Sequence, residues 1–153
     1  MTEEILKQLA EDPIPVLNRG YRAKERIAAR EERIKDWRQM AESVTASMEN
    51  AFGGSGFSTS KIEKCVVNIM ALEEEICDEI IELTGLESET NRIIREFVSE
   101  PNYKTVLELR YVSYLSWEEI AVRMGYTFRW TQELHRRALD DLKAIAAGMA
   151  KAQ

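Results

Sequence analysis

The chain has 153 residues, 31% of them charged and 44% hydrophobic, a globular composition that excludes a disordered polymer. Lys and Arg total 21 against 27 Asp and Glu, a net charge of −6, which excludes a uniformly basic nucleic-acid coat but leaves room for a local basic face. With only 3 Pro and 7 Gly, the expected class is all-α, built on long helices.

Residues 1–15 read as a short acidic leader closed by Asp12-Pro13-Ile14-Pro15. Ile5, Leu6 and Leu9 can support two helical turns, and neither proline favours carrying that helix further. Met1 to Asp12 holds four acids and one Lys with no apolar run behind it, so no secretion signal is expected. The longest nearly apolar stretch, Cys65 to Leu72, is far shorter than the roughly 20 residues that cross a bilayer. The cytoplasm is the expected compartment, with no membrane attachment. Cys65 and Cys77, if on one helix, stand ~18 Å apart along its axis. That is too far to bridge, so both thiols are expected reduced and packed.

Residues 16–99 read as an antiparallel helical hairpin for oligomerisation or partner binding. Its first arm, 16–50, repeats Ile27, Ile34, Ala41 and Met48 every seven residues. Ala23, Arg30, Trp37 and Val44 fill the second stripe of a coiled-coil seam, with Arg30 as its polar interruption. The glycine- and serine-rich stretch 51–59 is expected to be the loop, and Ser60 the N-cap of the returning arm. In that arm Ile62, Val66, Ile69, Ile76, Ile80 and Leu83 are the expected seam, interrupted by Glu73. The pattern resumes through Leu86, Ile93, Ile94 and Phe97, and at Gly85 the sequence leaves open a kink, a break or an unbroken helix. A second apolar row (Val67, Met70, Leu72, Ile81) asks for another cover; a homodimer forming a four-helix bundle is the simplest one, and docking on the small C-terminal domain is the competing one. Residues 60–100 carry eleven acids against four bases, whereas residues 101–153 carry eight bases against six acids.

Residues 100–153 read as a small helix-turn-helix domain with helical segments near 102–113, 117–124 and 128–147. That motif makes demands at fixed offsets. Ala121 supplies the small residue where the second helix crosses, flanked by Ile120 and Met124. Gly125 tolerates positive φ in the turn, Tyr126 packs down, Thr127 caps the second helix and Leu134 anchors it inward. Ser116-Trp117-Glu118-Glu119 has capping-box spacing at the start of the first helix. Thr131 departs from the pattern, since an aliphatic residue usually fills that inward position.

Trp117-Glu118-Glu119-Ile120-Ala121 through Thr127, then Gln132 to Leu142 ending Ala138-Leu139-Asp140-Asp141-Leu142, resembles region four of bacterial sigma factors. With Glu100-Pro101-Asn102-Tyr103 and Leu107-Glu108-Leu109-Arg110-Tyr111, residues 19 to 145 resemble small phage-encoded regulators with sigma region four-like C-termini. RinA- and ArpU-type late transcription regulators belong to that neighbourhood. The resemblance implies a phage or prophage late-gene activator that binds double-stranded DNA, acts with host RNA polymerase and needs no cofactor. Sigma factors carry Arg-Glu-Arg after the cap, where this chain has Phe128-Arg129-Trp130, so their base preference does not transfer.

In such a motif the second helix enters the major groove. Its outward residues here are Thr127, Phe128, Arg129, Gln132, Glu133 and Arg136, with Arg137 beside them. Arg129 suits guanine O6 and N7, Gln132 suits adenine, Glu133 a cytosine amino group and Phe128 a thymine methyl. Thr127 and Arg136 or Arg137 suit phosphates. Glu133 has an alternative use, pairing with Arg129 or Arg137 at four-residue spacing. Lys104, Arg110 and Arg123 are further phosphate candidates. Affinity for DNA is expected to fall steeply with salt.

An enzyme is not expected. One histidine, His135, has no nucleophile to serve, and Gly53-Gly54-Ser55-Gly56 lacks the lysine of a phosphate loop. The cysteines lack metal-ligand spacing. Two rival readings share the same residues. One is a DNA-packaging subunit like a small terminase, which forms a ring. The other is an adaptor that holds polymerase or a sigma factor without touching DNA.

Overall fold

The computed structural model describes residues 2–50 and 56–152, with side chains from residue 59 onward in the second stretch. All regular structure among the described residues is helical. The helices are α1 (Glu3–Glu11), α2 (Pro13–Leu17), α3 (Arg19–Asn50), α4 (Gly56–Phe97), α5 (Pro101–Tyr111), α6 (Trp117–Met124) and α7 (Phe128–Lys151). They divide into two compact units, residues 1–22 with 84–153, and residues 23–83.

These boundaries differ from those expected at 15 and 99. Residues 1–15 are not a leader: α1 packs chiefly on α7, and Leu6, Leu9, Val16 and Leu17 are buried in the same core as Ile93, Ile94, Leu107, Ile120 and Leu142. Burying each such side chain contributes about 1.5–3 kcal/mol, which outweighs the acidic composition of the segment. The prolines do stop α1. Asp12 then caps α2 by accepting from the Ile14 amide at 3.1 Å, with Pro13 in the first turn, where its missing N–H costs nothing. The last turns of α4 belong to this core through Ile93, Ile94, Phe97 and Val98.

Close packing at one point requires a glycine. A Cβ on Gly20 would collide with the Tyr114 hydroxyl. Tyr114 itself has φ +58 and is held by an edge contact to Tyr21 and a 2.8 Å hydrogen bond to Glu87 Oε1.

In the second unit, α3 and α4 run side by side in opposite directions. Arg26 meets Glu79 at 3.0 Å, Arg30 meets Glu75 at 3.0 Å and Arg38 meets Glu73 at 3.6 Å, rising along one helix and falling along the other. On α3 the expected stripes hold, since Ala23, Ile27, Arg30, Ile34, Trp37, Ala41, Val44 and Met48 are all shielded. On α4 one stripe is displaced. The shielded positions are Ile62, Cys65, Ile69, Leu72, Ile76, Glu79 and Leu83, while Val66, Glu73 and Ile80 face outward. The polar partner of Arg30 in the seam is therefore Glu79, whose side chain is only 12% exposed. Leu72 leaves the expected outer row for the seam, and Cys77 is exposed rather than packed.

One further expectation changes and one open alternative is settled. Residues 56–59 are already helical, so Ser60 is an interior residue, not a cap; the rest of the expected loop, residues 51–55, lies outside the described residues. The helix runs through Gly85 without interruption, because one glycine costs only about 1 kcal/mol and the apolar repeat continues on both sides. No helix among the described residues is long and apolar enough to cross a membrane.

Candidate nucleic-acid interface

Three local signals build the α5–α6–α7 region. Glu100 caps α5 by accepting from the Tyr103 amide at 2.8 Å, with Pro101 in the first turn. Ser116 caps α6 by accepting from the Glu119 amide at 3.2 Å. Gly125 closes α6 in the left-handed region, at φ 73 and ψ 30. Its amide bonds the Val122 carbonyl and the Tyr126 amide bonds the Ala121 carbonyl, a pairing that satisfies the last turn of α6. No atom stands within 4 Å of the Cβ that Gly125 lacks, so the backbone angle alone demands glycine there.

Thr127 then starts α7, accepting from the Trp130 amide at 3.1 Å. Thr131, the departure noted in the sequence, is fully buried, and its hydroxyl donates to the Thr127 carbonyl at 2.8 Å. A hydroxyl satisfied within its own helix can occupy an apolar site at little cost. Leu134, Ala138, Leu142 and Ala146 continue the inward stripe.

A second cluster fixes α7 from below. Tyr111 Oη and His135 Nε2 are 2.7 Å apart, and Trp117 meets the His135 ring edge-on at 4.6 Å. Arg110 lies 4.5 Å over the Trp117 ring and donates to the Leu115 carbonyl at 3.0 Å. Burial first, and the Arg110 charge second, push the His135 imidazole down to about 4. Burial likewise pushes the Tyr111 phenol up to about 12. Both groups stay neutral around pH 7. Arg110, a phosphate candidate from the sequence, is thus half-buried and engaged within the fold by the Trp117 ring and the Leu115 carbonyl. Lys104 is half-buried, and Arg123 remains exposed.

The opposite side of α7 faces outward. Thr127, Phe128, Arg129, Gln132, Arg136 and Arg137 are exposed and Glu133 is half-buried. All of these except Phe128 line one shallow, open depression together with Trp130. Glu133 Oε1 accepts from Arg136 Nη2 at 2.6 Å and from Arg137 Nε at 3.1 Å. Its Oε2 accepts from Arg136 Nε at 3.0 Å, and Arg136 Nη1 reaches Asp140 Oδ2 at 3.0 Å. Arg137 also lies 5.0 Å over the exposed Trp130 ring. These hydrogen bonds, from Arg136 first and Arg137 second, hold the Glu133 carboxyl down at about 2.

Of the two pairings the sequence allowed for Glu133, the one to Arg137 forms and the one to Arg129 does not. Sequence reasoning missed Arg136 as its main partner and Trp130 as the platform under Arg137. The three- and four-residue spacings were the available signal. No group of three or more metal-ligating side chains is present among the described residues. Comparison of the chain with protein-family models, with curated proteins and with solved structures finds no match.

Proposed function

We propose that the chain is a sequence-specific, double-stranded DNA-binding transcription regulator with a helix-turn-helix in residues 100–153. One observation carries this reading. The left-handed turn at Gly125 and the cap at Thr127 set α7 on α6 with its polar side outward, and that side bears Arg129, Gln132, Glu133, Arg136 and Arg137 in one depression. Arg and Gln on one exposed helix face are the side chains that read guanine and adenine bidentately in the major groove. The fold alone does not fix the role. The finer assignment, a cytoplasmic phage or prophage late-gene activator working with host RNA polymerase, rests on the sigma region four resemblance and the acidic arm at 60–100.

A homodimer fits the coiled-coil hairpin. Val66, Val67, Met70, Cys77, Ile80 and Ile81 are exposed along α4. Their positions are symmetric about the Glu73–Glu74 bond. An antiparallel copy of α4 sets Val66 against Ile81, Val67 against Ile80 and Met70 against Cys77. A twofold interface needs such a self-complementary patch.

The test is selection from a randomised duplex library with the full chain, followed by sequencing. An enriched motif with two related half-sites is the expected result. Failure to retain any duplex, with polymerase captured from lysate, refutes the DNA reading in favour of an adaptor. A solution mass of many subunits points instead to DNA packaging.

A further inference from the structure

On the outward face of α7 from Thr127 to Asp140, Arg136 and Arg137 are fully matched by Glu133 and Asp140. The cluster of four therefore adds no net charge. Arg129 is the one cation on that face with no ion pair among the described residues. A duplex carries one phosphate charge per ~1.7 Å of axis, and non-specific affinity comes almost wholly from cations that displace its counterions. The α7 face, as folded, offers little of that term despite its three arginines.

We propose that Glu133 is a selectivity element of this face. It withholds Arg136 and Arg137 from duplexes in general, and it yields them only where a base-edge amino group, from cytosine or adenine, takes their place on its carboxylate. The inference rests on the DNA-binding reading and says how that site discriminates.

Three features separate this from an ordinary solvated pair on a helix. Both Glu133 oxygens are engaged, by two guanidiniums at once. Arg137 is pinned a second time by the Trp130 ring. The carboxylate lies in the depression with Gln132 and Arg129, where base edges would arrive. A carboxylate held there repels a base edge that presents only acceptors, guanine or thymine, and it accepts from the amino group of cytosine or adenine, so it discriminates by which strand carries the amino base. The hydrogen bonds from Arg136 and Arg137 hold its carboxyl well below the usual range, so it is ionised around pH 7. The steep salt dependence expected of a DNA-binding face is therefore assigned to the variant lacking this charge, and the natural chain should show a shallow one.

The experiment compares the full chain with Glu133→Gln by fluorescence anisotropy at several salt concentrations. The probes are a random-sequence 30-base-pair duplex and the duplex recovered by selection with the natural chain. Glu133→Gln should bind the random duplex about tenfold tighter at ~0.1 M salt, with a salt slope steeper by about 1–2. The ratio of selected to random affinity should fall by about tenfold, and selection with the variant should lose the amino-group preference at one position. Adding Arg137→Gln to the variant should restore part of the shallow slope. A purely structural pair would lower the melting temperature and leave slope and ratio alone. Natural-chain binding with slope and ratio unchanged in Glu133→Gln overturns this inference and spares the DNA reading. No duplex binding by the natural chain at any salt overturns both.

Discussion

His135 is the only histidine of the chain, so its titration can be observed without assignment. Burial beside Trp117 and the charge of Arg110 push its imidazole from the usual 6.5 down to about 4. The unfolded chain therefore takes up a proton near pH 6.5 that the folded chain refuses until about pH 4. Stability is complete above pH 6.5 and is lost as the pH falls toward 4. Each tenfold in proton affinity is about 1.4 kcal/mol. The expected loss between pH 7 and pH 5 is then about 2 kcal/mol, before ordinary carboxylates begin to titrate. Urea unfolding at pH 7, 6 and 5 measures it directly. Glu133, held low by Arg136 and Arg137, contributes only in a lower window. His135→Gln should flatten the dependence between pH 7 and 5 whatever its own stability. The ring proton resonance of His135 in the folded chain should move only below pH 5. A native-state midpoint near 6.5, or an equal pH slope in the variant, would refute the buried-clamp reasoning.

Other outcomes follow from individual residues. Arg129→Ala should cost ~1–3 kcal/mol at one base position, whereas Arg137→Ala should weaken the selected duplex and leave a random one nearly unchanged; gel shifts on base-substituted and random sites separate them, and equal uniform losses for both defeat the assignment. Gly125→Ala has space for its methyl group but must hold φ 73, so a loss of about 1 kcal/mol is expected in thermal unfolding. Leu9→Ala should destabilise the unit built on α7 by about 2–5 kcal/mol, an effect that a detached leader would not show. Ile81→Asp should halve the solution mass measured by light scattering without changing helicity, because Ile81 is 73% exposed.

The helices around the site were legible because their boundaries are local. Pro101, Ser116, Gly125 and Thr127 each act on backbone groups within five residues, and a sequence displays such relations openly. The inward stripe of α7 was legible for the same reason, Thr131 included once its hydroxyl is given to its own helix. The role of α1 and α2 was hidden. Four acids marked the segment as solvated, and only contact with α7, more than a hundred residues away in sequence, shows where Leu6 and Leu9 go. The partner of Glu133 was half legible. Spacing admitted Arg129 behind it and Arg137 ahead, and an acid N-terminal to its base is the better arrangement on a helix. The structure takes that arrangement twice, at Arg136 and at Arg137.

The displaced stripe on α4 shows why periodicity alone did not decide a seam. Ile62, Ile69, Ile76 and Leu83 lie on it under either reading. The second stripe can fall three residues on, at Cys65, Leu72 and Glu79, or four residues on, at Val66, Glu73 and Ile80. Each choice buries two apolar residues and one glutamate, so hydrophobic area is nearly level between them. Charge breaks the tie. In the observed register Glu79 lies between Arg26 and Arg30, accepting from Arg26 Nε at 3.0 Å and standing 3.4 Å from Arg30 Nη1. The polar interruption of α3 then meets its counterpart inside the seam, whereas the other register would set Arg30 against an aliphatic layer. A largely shielded charge facing an aliphatic layer is destabilising, whereas exchanging a valine for a cysteine in the seam changes little. The same choice turns Val66 and Ile80 outward beside Val67, Met70 and Ile81. One ion pair in the seam thus determines both how the hairpin closes on itself and which apolar row it has left to offer a second copy.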